Sequence, residues 1–326
     1  MSLAKVMKPV WKAGFVEKTV TLPNGVTLNY GEGAENGKPP LLLIHGQTGA
    51  RQDYASVLPQ LQQYYHVFAV DCHGHGKSDR TPQRYKAKWI GEDFAWFIQN
   101  VMGAPAVVSG HSSGGLLTAW LAANAPEQVA GVVLEDPPFF STVPGGRWES
   151  SFAYVDTYEP MHRFLNQTAE KDWVLYYLEH CAWGKFVGEK GMNGMLKYGR
   201  KYRAKHPDKP LHFFFLPDSI NRMFWFMDQY DLRFGDAFYD SSWFEDFDQE
   251  DALRRVLCPA VLIHTNWSID ENGVLMAAMS GEDAEHANAL MKASEIVDIP
   301  SGHDSHVEKP EAFLTAFDRL EAKMKP

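Results

Sequence analysis

The sequence predicts an α/β protein with a mostly parallel, doubly wound sheet, and three observations point there. Short apolar runs recur along the chain, helix-like stretches alternate with them, and polar or glycine-containing turns end several of the runs. The runs are continuously apolar rather than alternating. That pattern marks strands covered on both faces, as in a sheet sandwiched between helices. Strand–helix alternation then sets the class.

The elements follow in order. An opening hairpin is expected over residues 15–22 and 26–30, joined by Pro23-Asn24-Gly25. Asn-Gly supplies the positive φ values of a tight hairpin. Further strands are expected at 41–44, 66–70, 106–108, 131–134, 260–263 and 295–299. Helices are expected near 54–63, 90–102, 115–124, 284–293 and 310–325. The alternation breaks between Pro137 and Val256, a segment holding 27 of the chain's 43 aromatic residues. Phe139, Phe140, Trp148, Trp173, Phe213, Phe214, Phe215, Trp225 and Trp243 are among them. Residues 138–256 therefore read as a mostly helical cap inserted into a core made of 1–137 and 257–326. Most of these rings suit the cap's own packing, and some are expected to line a pocket, because ligand sites favour aromatic walls.

Bulk properties narrow the function. The 326 residues, 45% apolar, can bury a large interior. The net charge of −10 repels phosphate backbones and anionic lipid, so neither nucleic acid nor membrane is an expected partner. No run reaches the roughly 18 apolar residues of a membrane span. The first residues carry lysines but no apolar signal-peptide core. Cys72, Cys181 and Cys258 are odd in number and lack CxxC spacing, so they read as buried small hydrophobes in a reducing cytoplasm. The expected partner is a small-molecule substrate; a homodimer is compatible with the composition.

Chemistry concentrates at Gly110-His111-Ser112-Ser113-Gly114-Gly115, which contains G-x-S-x-G. The pattern alone is weak, but it follows an expected strand and opens an expected helix. That placement is what a nucleophile elbow requires. Ser112 is the expected nucleophile. A serine hydroxyl needs a neighbouring base, and His303, in Ser301-Gly302-His303-Asp304 after the last strand, is the expected one. His306 reads as a supporting or capping residue. Three carboxylates compete to orient the imidazole: Glu135 and Asp136 at the end of the strand after the elbow helix, and Asp270 on a later loop. Acyl transfer also needs amide donors for the oxyanion. Ser113 N–H and Gln47 N–H, the latter in His45-Gly46-Gln47-Thr48-Gly49, are the expected pair. The histidine- and aspartate-bearing loop 71–79 reads as a structural turn, since two histidines on a glycine-rich loop lack fixed ligand geometry. Neither metal nor cofactor is expected.

With these residues in hand, the chain resembles the α/β-hydrolase fold superfamily over residues 15–137 and 257–326. The likeness rests on His45-Gly46, the 71–79 loop, the Ser112 elbow and Gly302-His303. Four stretches further resemble bacterial zearalenone lactonases: Gly46–Gly49, Gly110–Leu117, Glu135-Asp136-Pro137-Pro138-Phe139-Phe140 and Ile269-Asp270-Glu271-Asn272-Gly273. His45-Gly46 departs from them, standing where those enzymes carry Pro and an acidic residue. The resemblance implies a glutamate as triad acid after the strand that follows the elbow helix, which favours Glu135. It implies a serine hydrolase (carboxylesterase or lactonase) that cleaves a bulky, largely apolar ester or lactone through an acyl-enzyme. Two other functions keep the same residues. One is a C–C bond hydrolase, with Arg147, Arg163 or Arg222 holding a substrate carboxylate. The other is a non-catalytic ligand receptor.

Overall fold

The structure, a computed structural model, describes residues 3–143, 147–181 and 184–325. Helix α1 (Leu3–Lys12) comes first, an element the apolar pattern did not announce. A hairpin follows, β1 (Val16–Thr21) and β2 (Thr27–Glu32), antiparallel as Asn24-Gly25 requires. Then come β3 (Pro40–Ile44), β4 (His66–Val70), β5 (Ala106–His111), β6 (Val129–Glu135), β7 (Ala260–His264) and β8 (Ser294–Asp298). They form one eight-stranded sheet in the order β1-β2-β4-β3-β5-β6-β7-β8. All pairings from β4 to β8 are parallel, and β2 joins β4 antiparallel.

Strand period 2 splits the apolar runs between two cores. Leu42, Ile44, Val108 and Leu134 face one side, with helices α2 (Ala87–Phe97) and α3 (Ser113–Asn124). Leu41, Leu43, Val107 and Val133 face the other. This is why the runs are apolar throughout. Each such side chain, fully buried, contributes about 1.5–3 kcal/mol before conformational entropy opposes it.

Two helix expectations are modified. Residues 54–63 hold a 3₁₀ segment (Arg51–Ser56) and a single α turn (Leu58–Leu61) instead of one helix. Pro59 explains the break, since it lacks an N–H and restrains the residue before it. The stretch 90–102 is α2 followed by a π turn over Ile98–Met102, closed by Gly103 at φ 74°.

Between β6 and β7 the described residues add helices and no strand of the sheet. They include α4 (Glu159–Leu165), α5 (Trp173–His180), α6 (Gly184–Lys205), α7 (Leu232–Tyr239) and α8 (Gln249–Arg254). Their rings pack on one another. Trp243 is fully buried, with Phe238 and Phe244 at centroid distances of 4.5 and 4.9 Å. Helices α9 (Gly281–Leu290) and α10 (Pro310–Met324) complete the chain, α10 presenting Phe313, Ala316, Phe317 and Leu320 to the second core. Among the described residues no helix is long and apolar enough to cross a membrane.

The turn after β4 is organised by Asp71. Its buried carboxylate accepts Arg51 N (2.9 Å), Arg51 Nη1 (3.1 Å) and Lys77 N (3.1 Å). Ser78 Oγ donates to the Asp71 carbonyl. Asp71→Ala would leave Arg51, a residue 7% exposed, with the partly exposed Glu17 as its remaining anion and no buried one. Loss of one partner of a buried pair costs about 3–5 kcal/mol. Urea unfolding of the variant is expected to show a deficit of that order.

Candidate active site

The carboxyl ends of β3, β5, β6 and β8 bring Gln47, Ser112, Asp136 and His303 to one region. Ser112 follows β5 with φ 53° and ψ −120°, a conformation costly for a side-chain-bearing residue and typical of a functional turn. A Cβ on Gly110 would collide with the Gly114 carbonyl, and one on Gly114 with the Ile44 carbonyl. Glycine at both sites is what lets α3 start so close to the sheet. Ser112 N donates to the Glu135 carbonyl at 2.9 Å, fixing the elbow to β6. Ser113 is the first residue of α3, so its N–H lacks an intrahelical acceptor.

His303 lies on the loop between β8 and α10. Its Nδ1 donates to Asp136 Oδ2 at 2.7 Å, since a carboxylate can only accept. Asp136 is 1% exposed, has φ 43°, and also accepts from Thr265 Oγ1 at 2.8 Å. Burial disfavours the His303 cation. The Asp136 hydrogen bond and charge outweigh it and push the imidazole up to about 9. With Nδ1 engaged, Nε2 is the nitrogen left for a proton from a hydroxyl.

The structure corrects the favoured acid. Glu135 does not reach His303. Its carboxylate accepts Ser305 Oγ at 2.5 Å, His306 N at 2.9 Å and His306 Nδ1 at 2.9 Å, and both side chains of the Glu135–His306 pair are essentially fully buried. Adjacent strand residues face opposite sides. Glu135 turns beneath the sheet edge, whereas Asp136, just past β6, turns up beside His303. Asp270 is farther away: its Oδ1 caps the 270–274 turn by accepting Asn272 N and Val274 N, each at 2.9 Å. His306 is thus the partner of Glu135 rather than a cap. Burial opposes its charge as well, and Glu135 lifts it above the ordinary imidazole value.

A second histidine strengthens the floor. His111, next to Ser112, sits 4.4 Å ring to ring from His303, and its Nε2 donates to the His303 carbonyl at 3.1 Å. Burial and the neighbouring His303 hold it well below the ordinary value, and therefore neutral. Ser112, His303 and Asp136 all line one cavity of about 430 Å³. Among the described residues no hydrogen bond joins the Ser112 hydroxyl to His303. In unliganded sites such contacts are often long and tighten when substrate seats.

The rest of the cavity combines apolar and polar walls. Phe152, Trp173, Tyr177 and Phe226 come from the β6–β7 insertion. Gln47 lines it from the loop after β3, where Thr48 adopts φ 59°. Of the three arginines considered, Arg222 alone faces this cavity. Arg163 pairs with Glu159, and Arg147 with Glu282. Asp53 also lines the cavity, its carboxyl pushed up to about 6 by burial. Neither Asp53 nor the tyrosines touching Gln47 stood out in the sequence. They belong to no motif, and only the fold carries them here. The arrangement can take a proton from Ser112 and hold the resulting imidazolium on Asp136.

The Glu135–His306 pair has its own pH signature. Burial works against Glu135's charge, but His306 outweighs it and holds the carboxyl below 4.5. Its contribution is complete above that value and lost as pH falls through the lower folded one. His306, raised above 6.5, contributes fully below that value and fades as pH rises through its folded one. Glu135→Gln should therefore cost most between 4.5 and 6.5, about 3–5 kcal/mol in urea unfolding, as expected for a broken buried pair.

Comparison with known proteins agrees with this geometry. The family model for the alpha/beta hydrolase fold matches residues 39–310. A 130-residue stretch is 32% identical to 2-(acetamidomethylene)succinate hydrolase of Mesorhizobium japonicum, covering 39% of this chain and 45% of that one. The chain thus spans under two thirds of that relative's length. Among solved structures, a membrane phospholipase A superposes with a TM-score of 0.66 at 22% identity, over 99% of this chain and 92% of that one. The enol-lactonase from Burkholderia xenovorans LB400 gives 0.60 at 15% identity, over 94% and 100%. At such identities the likeness speaks for the fold. With the elbow, the histidine loop and the parallel sheet in place, the chain belongs to the α/β-hydrolase fold family.

Proposed function

We propose that the protein hydrolyses a carboxylic ester or lactone of a bulky, largely apolar substrate through an acyl-enzyme on Ser112. One observation carries this reading: the strained Ser112 elbow and the Asp136-bound His303 open into the same aromatic-walled cavity. Ser112 Oγ attacks the carbonyl as His303 Nε2 takes its proton. Asp136 holds the imidazole and stabilises its cation. The Gln47 and Ser113 amides receive the oxyanion. His303 then returns the proton to the leaving alkoxide and activates water to release the acid. The β6–β7 insertion serves as the cap that selects the acyl or lactone portion. A macrolactone of the zearalenone kind is the finer reading we favour, on the strength of the four resembling sequence stretches.

A second reading rests on Arg222. It lines the cavity, its Nη2 is buried without a hydrogen-bond partner, and its guanidinium lies 5.3 Å from the Trp225 ring. A substrate carboxylate would satisfy it. The relative from Mesorhizobium japonicum is named for a succinate derivative, which supports an anionic substrate, as does the C–C bond hydrolase alternative.

Turnover of aryl esters, macrolactones and vinylogous keto acids, read beside Ser112→Ala, separates the two. Ester or lactone turnover that falls on the order of 10³-fold or more in Ser112→Ala is expected; turnover kept in that variant would overturn the mechanism. The base must be neutral to accept a proton, so the acid limb of kcat/KM should lie above 6.5 and towards about 9. Asp136→Asn removes the group that raises His303. The limb should then move down in pH while the plateau falls steeply; an unmoved limb would remove Asp136 from this role.

A further inference from the structure

The Gln47 side chain sits between two buried tyrosines, and hydrogen-bond directions around it leave one donor unused. Tyr230 Oη donates to Gln47 Oε1 at 2.6 Å, and Gln47 Nε2 donates to Tyr158 Oη at 2.5 Å. The amide orientation is set from the Tyr230 end. The single proton of the Tyr230 hydroxyl is given to Gln47 Oε1. Gln47 must then present its oxygen to Tyr230 and its NH₂ to Tyr158. Tyr158 Oη is consequently an acceptor from Gln47, and its own proton remains to be given. Among the described residues the Tyr158 hydroxyl makes no other hydrogen bond.

That hydroxyl is well placed to use its proton. Tyr158 is 5% exposed and lines the same cavity as Ser112 and His303. Its ring is fixed by Phe238, stacked at 5.3 Å and 11°, and by Trp148 at 5.1 Å. Burial alone pushes its ionisation far up, so the proton stays on. A buried hydroxyl whose donor is unmet is costly, and a substrate acceptor would recover that cost.

We propose that Tyr158 is a specificity residue whose O–H donates to an oxygen acceptor on the substrate other than the scissile carbonyl, so that the site selects esters or lactones bearing a ketone, ether or phenol oxygen near the reacting carbonyl. The Tyr230–Gln47 relay aims the donor. Because the donor is fixed and dry, a substrate lacking the acceptor leaves it unpaired, which is how a site rejects an otherwise isosteric compound.

The proposal rests on the ester reading, and a chain-matched substrate series separates the two. The probes are 4-nitrophenyl hexanoate and the 4-nitrophenyl esters of 3-, 4- and 5-oxohexanoic acid. The wild type should prefer at least one oxo ester by about tenfold or more in kcat/KM. Tyr158→Phe should erase that preference, read as the ratio of kcat/KM between oxo ester and hexanoate, because any loss from unpairing Gln47 Nε2 falls on all four esters alike and cancels in the ratio. An equal loss on all four esters, a preference that survives, or no preference in the wild type would overturn the proposal. If the wild type cleaves none of the four, the ester reading fails. Calorimetric binding of methyl hexanoate against the methyl oxohexanoates then decides: an oxo preference lost in Tyr158→Phe upholds the donor role, and equal binding ends it.

Discussion

Two adjacent carboxylates at the end of β6 hold two histidines of one loop, and the rest of the site depends on that arrangement. Glu135 grips His306 in full burial, and Asp136 grips His303 at the cavity wall. The strand fixes Glu135 at its last position, and the left-handed φ of 43° just beyond it turns Asp136 the other way. The histidines sit three residues apart across the short turn Ser305–Glu308, so each meets its own acid. The lower pair anchors the loop and the upper pair is left free for chemistry. His111 closes the arrangement from β5 by bonding the His303 carbonyl. The loop that carries His303 is thereby tied to the strand that leads into Ser112.

The same economy runs through the loop after β3. Gln47 follows β3, but its side chain is fixed by tyrosines of the β6–β7 insertion, Tyr158 and Tyr230. A displacement of the insertion would therefore be felt at the loop that brings Gln47 to the cavity. Below it, the buried Arg51–Asp71 pair ties the segment after that loop to the turn after β4. Core and insertion meet at the Gln47 side-chain amide through directional bonds, which transmit geometry better than apolar contact alone.

Residue type and order announced much of this. The continuous apolar runs gave the parallel strands because both faces are covered. Gly110 and Gly114 marked the elbow because no side chain fits there, and His303 was marked by its place after the last strand. Pro59 shows the opposite case: it broke a helix that the apolar pattern favoured. The carboxylate partner expected for His303 also went astray, since Glu135 and Asp136 are one residue apart and equally acidic. Only the strand's end and the φ of 43° at Asp136 decide which of them looks up.

What the sequence determined by itself was the fold class, the sharp turn at Ser112 and the place of His303 after the last strand, because these depend on local backbone demands and on chain order. The tertiary structure decided which carboxylate serves which imidazole. It also decided which of the many insertion aromatics line the cavity, and which way the Gln47 amide points. Those outcomes arise from contacts between residues as far apart as Gln47 and Tyr230, or Asp136 and His303. Side-chain direction at such contacts is set by packing and hydrogen-bond polarity, which no local pattern encodes.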